Sequence, residues 1–154
     1  MNIAILSNGN INYSTLRLKE EAERRGHRVK IVKYKNCYVS IDEKKPKVMY
    51  QGEELGNFDV IIPRISSNMT KYGTAVVRQL ETAHPRAYFM NRSIAIMRAR
   101  DKLRSTQLLA KAGVSIPKTV FSRNSTDIDV LLDEIGGTPA IIKLARGTHG
   151  NGVV

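Results

Sequence analysis

The sequence predicts an α/β fold with a parallel-cored sheet, and two features of it carry that expectation. Ile3-Ala-Ile-Leu6 and Val60-Ile-Ile62 are short, unbroken apolar runs. A strand buried on both faces reads this way, whereas a strand with one wet face alternates. Longer segments with helical spacing and recognisable ends separate such runs, so the order strand–helix–strand recurs. The 154 residues suffice for one domain and part of another.

The elements follow in order. Ser7 to Tyr13 supplies turn residues after the first run. A helix is expected from about Ser14, a candidate N-cap, to Gly26, with Arg24 and Arg25 in its last turn. Val29 to Tyr34 reads as the second strand. Gly9 alone lacks the three-glycine spacing of a dinucleotide-binding turn, so no such cofactor is expected there. Residues 35–57 are less regular, apart from a small hairpin turning at Gln51-Gly52. Phe58 to Ile65 is another buried strand, ended by Pro63. Arg64, Ser66, Ser67, Asn68 and Thr70 stand at its end, and in open parallel sheets ligands bind beyond the carboxyl ends of strands. Arg64, Ser66 and Asn68 are therefore candidate substrate contacts, although an ordinary polar loop explains them equally well. A helix over 72–83 with Ala75, Val76 and Leu80 inward, a strand at 87–90 and a helix starting at 91–93 complete a first domain, residues 1–97.

A second unit, residues 98–154, opens with a helix capped by Asp101 and stopped at Gly113, with Leu103, Leu108, Leu109 and Ala112 inward. Lys118 to Ser122 is expected as a strand. Ser125 to Asp129 resembles a capping box for a helix carrying Ile128, Leu131, Leu132 and Ile135, ended by Gly136-Gly137. The last stretch says most about chemistry. Pro139 to Leu144 is an apolar run with one lysine, Lys143; Gly147 to Gly152 holds three glycines; Val153 and Val154 are apolar again. This reads as strand, glycine loop, strand. The glycines let successive N–H groups face an anion, and a lysine on the buried side of a strand calls for a negative partner. A nucleotide's phosphates are the natural one. Lys102 adds a cation in the first turn of its helix, beside outward-pointing N–H groups; taken alone, it reads as a surface lysine. The loop is not a Walker A sequence, because no Gly-Lys-Ser/Thr follows it.

The formal charge is +11, from 25 Lys and Arg against 14 Asp and Glu, which favours anionic partners. A single cysteine, Cys37, excludes a disulfide framework, and three scattered histidines give no metal spacing. The opening apolar run is too short for a signal-peptide core or a membrane span. A reduced, cytoplasmic, soluble protein with no membrane partner is expected. No acid–base pair or nucleophile arrangement is visible, and no carboxylate follows Glu134. No catalytic residue and no metal ligand are therefore expected among these residues.

Taken together, several segments resemble one family: Met1 to Ser7, Arg25-Gly-His27, Cys37-Tyr38, Phe58 to Ile65, Tyr72 to Ala75, Arg98 to Ser105, Gln107 to Ala110, Ile142-Lys-Leu144 and Gly147 to Val154. The chain resembles the RimK-type ATP-grasp ligases, ribosomal protein modification enzymes that add L-glutamate to the C-terminal carboxylate of a peptide. The resemblance implies a Rossmann-like pre-ATP-grasp domain at 1–97 and the first part of an ATP-grasp domain at 98–154. It implies ATP and Mg2+ as cofactors, with the metal ligands beyond residue 154. It implies L-glutamate and the acidic or C-terminal tail of a ribosomal protein as partners. Lys102 and Lys143 match the two lysines that reach ATP phosphates, and Gly147, Thr148, His149, Gly150, Asn151 and Gly152 match the loop closing over them. Arg146, His149 and Asn151 depart from the usual pattern, in which an acidic residue, a glutamine and a hydrophobic residue stand there.

The chain covers roughly half of such a family member, so these residues alone are expected to be inactive. Two other readings remain open at this level. One is an ATP-grasp ligase of a small-molecule amino acid or cofactor tail. The other is a basic, non-enzymatic module for nucleic acid or ribosome. An unpaired apolar edge around Lys143 would also invite a homo-oligomer.

Overall fold

A computed structural model describes residues 1–8, 12–124, 126–144 and 152–154. These fall into two compact units, residues 1–97 and 98–154.

In the first unit, β1 (Asn2–Ser7) is the axis of a four-stranded sheet. It pairs in parallel with β2 (Arg28–Lys33) on one side and β6 (Val60–Pro63) on the other, and β6 pairs in parallel with β7 (Tyr88–Phe89). The strand order is β2-β1-β6-β7. Ala4, Ile5 and Leu6 are wholly buried, which is why the run that encodes them does not alternate. The α/β class with a parallel core is borne out.

The first crossover is α1 (Tyr13–Arg24), and its cap differs from the expectation. Asn12, not Ser14, is the N-cap, and its Oδ1 accepts from Thr15 N–H at 2.9 Å. Ser14 already lies inside the first turn, where a cap cannot sit. Tyr34 likewise leaves the second strand for a 3-10 turn, Tyr34–Asn36. The irregular region hides a strand: β3 (Cys37–Ser40) pairs antiparallel with β4 (Lys47–Tyr50), which turns at Gln51-Gly52 into β5 (Glu53–Glu54). Both turn residues have positive φ, 54° and 86°, the two-residue geometry that suits strand twist.

The helix α2 (Thr70–Ala83) covers these strands with Gly73, Thr74, Val76, Val77 and Leu80 buried. Tyr72 donates its hydroxyl to Cys37 O, and Gln79 donates to Ser40 O at 2.9 Å, which tie the helix to β3. At its far end Glu81 accepts from both Ser93 N–H and Ser93 Oγ at 2.8 Å. That carboxylate satisfies the opening of α3 (Ser93–Arg100).

In the second unit, α4 (Lys102–Lys111) is capped as expected, with Asp101 Oδ1 accepting from Arg104 N–H at 2.9 Å. The helix α5 (Ile128–Ile135) ends at Gly136 with φ of 100°. Ser125 lies outside the described residues, and Asp127 occupies the N-cap position of α5 without a side-chain cap bond. Two expectations fail here. Leu108, Leu109 and Ala112 are exposed rather than inward, and Lys118 to Ser122 forms no strand. Both have one cause: no described residue of this unit is buried, so neither an apolar helix face nor a strand edge has a partner to cover it.

Close packing around Gly73 yields a test. A Cβ there would lie 2.5 Å from Ile65 Cγ2 and 3.2 Å from the Tyr34 ring. Glycine to alanine inside a helix ordinarily gains about 1 kcal/mol, but overpacking a core costs about 1–3 kcal/mol. Gly73→Ala is therefore expected to be destabilised by about 1 kcal/mol in urea denaturation. A variant as stable as the parent would show that Ile65 moves aside at no cost.

Candidate functional site

Two places gather the chemistry, one in each unit. In the second, Lys143 bridges antiparallel to Val153. Ile142 N–H donates to Val154 O at 2.7 Å, Val154 N–H to Ile142 O at 2.9 Å, and Leu144 N–H to Gly152 O at 2.8 Å. Those bonds set Leu144 beside Gly152. Gly152 has φ of 70°, and a Cβ on it would come within 2.4 Å of Leu144, so only glycine suits the closure. Lys102 Nζ donates to Leu144 O at 3.0 Å. The helix start carrying Lys102 thereby meets the segment carrying Lys143, across 41 residues of sequence. Lys143 is exposed, not on the buried side of a strand, because no layer of this unit covers either face of the pairing. Of the glycine loop, Gly147, Thr148, His149, Gly150 and Asn151 lie outside the described residues.

In the first unit the carboxyl ends of β1 and β6 meet at one edge. Arg64 N–H donates to Leu6 O at 2.9 Å, which sets Arg64 level with Ser7. Its side chain turns toward the start of α1, donating from Nε to Thr15 Oγ1 at 3.1 Å and from Nη2 to Ser14 Oγ at 2.6 Å. Asn12 Oδ1 holds both hydroxyls, at 3.1 Å and 2.7 Å. Arg64 meets no carboxylate among the described residues. Ser66 and Asn68 stand at the same end of β6, but Ser66 is engaged elsewhere. Its Oγ donates to Asn68 Oδ1 at 2.7 Å and lies 2.8 Å from the hydroxyl of the buried Tyr34, to which Ser66 N–H also donates. Ser14 and Thr15 were missed as neighbours of Arg64. The available signal was the polar turn directly after the first buried run, which the sheet-edge rule applies to as much as to the turn after Pro63.

Elsewhere the described residues offer little chemistry. Cys37 is buried, and desolvation pushes its thiol up to about 11, so it is no nucleophile at neutral pH. No group of three His, Cys, Asp or Glu side chains could hold a metal ion, and no helix is long and apolar enough to cross a membrane, among those residues.

The chain can now be set against known proteins. The model of the RimK PreATP-grasp domain family matches residues 1–96, and that of the RimK-like ATP-grasp domain matches residues 99–154. The chain belongs to the RimK family of ATP-grasp proteins. A probable alpha-L-glutamate ligase of Teredinibacter turnerae is 51% identical over 154 residues, which is 100% of this chain and 50% of that protein. The chain thus spans about half the length of the curated relatives it matches. A RimK domain ATP-grasp protein from Sphaerobacter thermophilus superposes with a TM-score of 0.70 at 19% identity, over 100% of this chain and 54% of that one. The macrocyclase MdnC of Microcystis aeruginosa, solved bound to its precursor peptide MdnA, superposes at 0.67 and 13% identity, over 96% of this chain and 56% of that one. These two likenesses show a shared fold.

The hydroxyl relay under Arg64 gives a second test. Asn12→Ala removes a cap worth about 1 kcal/mol and also frees Ser14 and Thr15 from their shared acceptor. A loss of about that size in urea denaturation is expected, with the amide signals of residues 13–15 shifting most. Unchanged stability would show that Asn12 holds nothing.

Proposed function

We propose that the protein is an ATP-dependent ligase that joins L-glutamate to the C-terminal carboxylate of a protein or peptide. ATP transfers its γ-phosphoryl group to that carboxylate, forming an acyl phosphate and ADP. The amine of glutamate then attacks the acyl carbon, the amide forms, and phosphate leaves. The relatives' name supports the glutamate reading. The observation that carries the nucleotide part is the meeting of Lys102 with the Lys143 segment through Leu144 O.

In this reading Lys102 and Lys143 contact ATP phosphates, together with the N–H groups of residues 147–152. Fixed cations stabilise the charge that builds on the transferring phosphoryl group. Mg2+, when bound, would neutralise more of that charge; among the described residues no cluster of suitable ligands would hold it. Residues 1–97 form the pre-ATP-grasp domain and 98–154 belong to the ATP-grasp domain. The acceptor is a peptide tail, in keeping with the peptide bound by the neighbour MdnC; a ribosomal protein tail in the cytoplasm is the partner proposed.

Two measurements test this. In a protein of the relatives' full length that carries this sequence, Lys143→Ala is expected to lower ATP use about ten- to hundredfold, the worth of one charge-assisted hydrogen bond of about 1.5–3 kcal/mol. Unchanged kinetics would remove Lys143 from the site. For residues 1–154 alone, calorimetry with Mg2+ is expected to give weak ATP binding or none, since the exposed Lys143 and half-exposed Lys102 are screened by salt and water. Micromolar, Mg2+-dependent binding would contradict that.

A further inference from the structure

The four-stranded sheet of the first unit ends at β7, and that edge is open. Tyr88 N–H donates to Asp59 O at 2.8 Å and Met90 N–H to Ile61 O at 3.0 Å, so the backbone of both residues faces β6. By strand alternation the N–H and C=O of Phe89 point the other way, where no strand pairs with them among the described residues. The Phe89 side chain packs on the core, whereas Tyr88 and Met90, on the opposite face, are 65% and 54% exposed. Val60, level with Tyr88, and Ile62 are only partly buried on that same face, so an apolar strip runs from β6 out to the edge. Exposed arginines stand on either side of the strand. Residues 82–97 carry Arg86 and Arg92 but no Asp or Glu, and neither arginine pairs with a carboxylate among the described residues. The carboxylates on the neighbouring elements are already committed. Asp59 Oδ2 accepts from Asn2 N–H at 2.7 Å, and Glu81 accepts from Ser93 with both its oxygens.

We propose that the free edge of β7 docks an extended, acidic stretch of the acceptor peptide, upstream of the carboxylate that the ligase modifies. A guest strand gives the Phe89 N–H an acceptor and the Phe89 carbonyl a donor. It lays apolar side chains on Tyr88 and Met90 and brings carboxylates to Arg86 and Arg92. Two considerations choose this occupant. A sugar-phosphate backbone offers acceptors but no N–H for the Phe89 carbonyl. A second copy of the chain, pairing antiparallel with Phe89 opposite Phe89, would set Arg86 of each copy opposite Arg92 of the other. Like charges opposite each other destabilise such a pairing. The brevity of β7, Tyr88–Phe89, and its flanking cations thus guard the edge against self-association while leaving it open to an acidic guest. This docking rests on the reading of the acceptor as a peptide and specifies where a part of it away from the reacting carboxylate is held.

The test is a titration of isotopically labelled residues 1–154, without nucleotide, with a capped heptapeptide of three central valines and two glutamates at each end. The peptide is expected to shift the amide signals of Tyr88, Phe89 and Met90 saturably and to slow hydrogen exchange at the Phe89 amide. Arg86→Ala and Arg92→Ala, both at exposed positions, are each expected to weaken binding about two- to fivefold. Methylation of the three valine amide nitrogens is expected to weaken it about three- to tenfold, and lysines in place of the glutamates to abolish it. No protection at Phe89, shifts centred elsewhere, or equal binding by the lysine or the N-methylated peptide would overturn the proposal. So would an oligothymidylate that protects Phe89 as well as the peptide does. Protection of Phe89 in the free protein that grows with protein concentration would also overturn it, by assigning the edge to a second copy. Glutamate transfer in a protein of the relatives' full length separates the two readings. Peptide docked on β7 with no transfer of glutamate would keep the surface and sink the ligase. Transfer unaffected by Arg86→Ala and Arg92→Ala, with no docking on β7, would do the reverse.

Discussion

The backbone pairing of β1 on both its edges is the constraint from which the first unit follows. Once Leu6 is level with Pro63 and with Val32, the carboxyl ends of three strands end together. Everything beyond those ends is then a loop or a helix start, and loops there can carry polar groups that a strand buried on both faces cannot. Arg64 and Ser7 come level because two strands 57 residues apart in sequence are locked in register. The locking is apolar at heart: Ala4, Leu6, Val32 and Ile61 are all wholly buried in one cluster with Tyr34 and the inner face of α2.

The second unit is built differently. Its helices are well capped, by Asp101 and by Gly136, yet none of its described side chains is buried. Capping and propensity hold a short helix only marginally in water, and tertiary packing ordinarily supplies the rest. What organises this unit is hydrogen bonding to the backbone: the Lys143–Val153 bridge, and the Lys102 side chain reaching to Leu144 O. Surface ion pairs do not compensate in either unit. Glu21 is held down to about 2 by its bonds to Arg24 and Arg25, but all three side chains are solvent-exposed or nearly so, and such pairs add little.

How much of this was legible depended on whether a signal was local. The strand at 3–6 announced itself, because burial on both faces writes a continuous apolar run; the run at 60–62 reads the same, although only Ile61 of it is fully buried. The hairpin at Gln51-Gly52 did too, since its turn demands positive φ. The strand Cys37–Ser40 did not: three of its four residues are exposed or partly so, and its identity comes from pairing with Lys47–Tyr50 rather than from its own sequence. The N-cap went to Ser14 instead of Asn12 because both are good caps and only geometry chooses between them. Helix faces at Leu108 and Leu109 carried a core-like pattern, but a pattern states which residues can be covered, not what covers them. At the candidate sites, Lys102, Lys143 and Arg64 stood out as charges in special places. Their partners, Leu144 O, Ser14 and Thr15, are long-range consequences of topology and could not.

If β1 is the axis on which stability rests, amide hydrogen exchange will show it directly. The amides of β1 and β6 are expected to exchange only through global unfolding of the first unit, while those of α4 and α5 open about a thousandfold more readily or beyond. Equal protection across the two sets of amides, or faster exchange at β1 than at α4, would contradict the account.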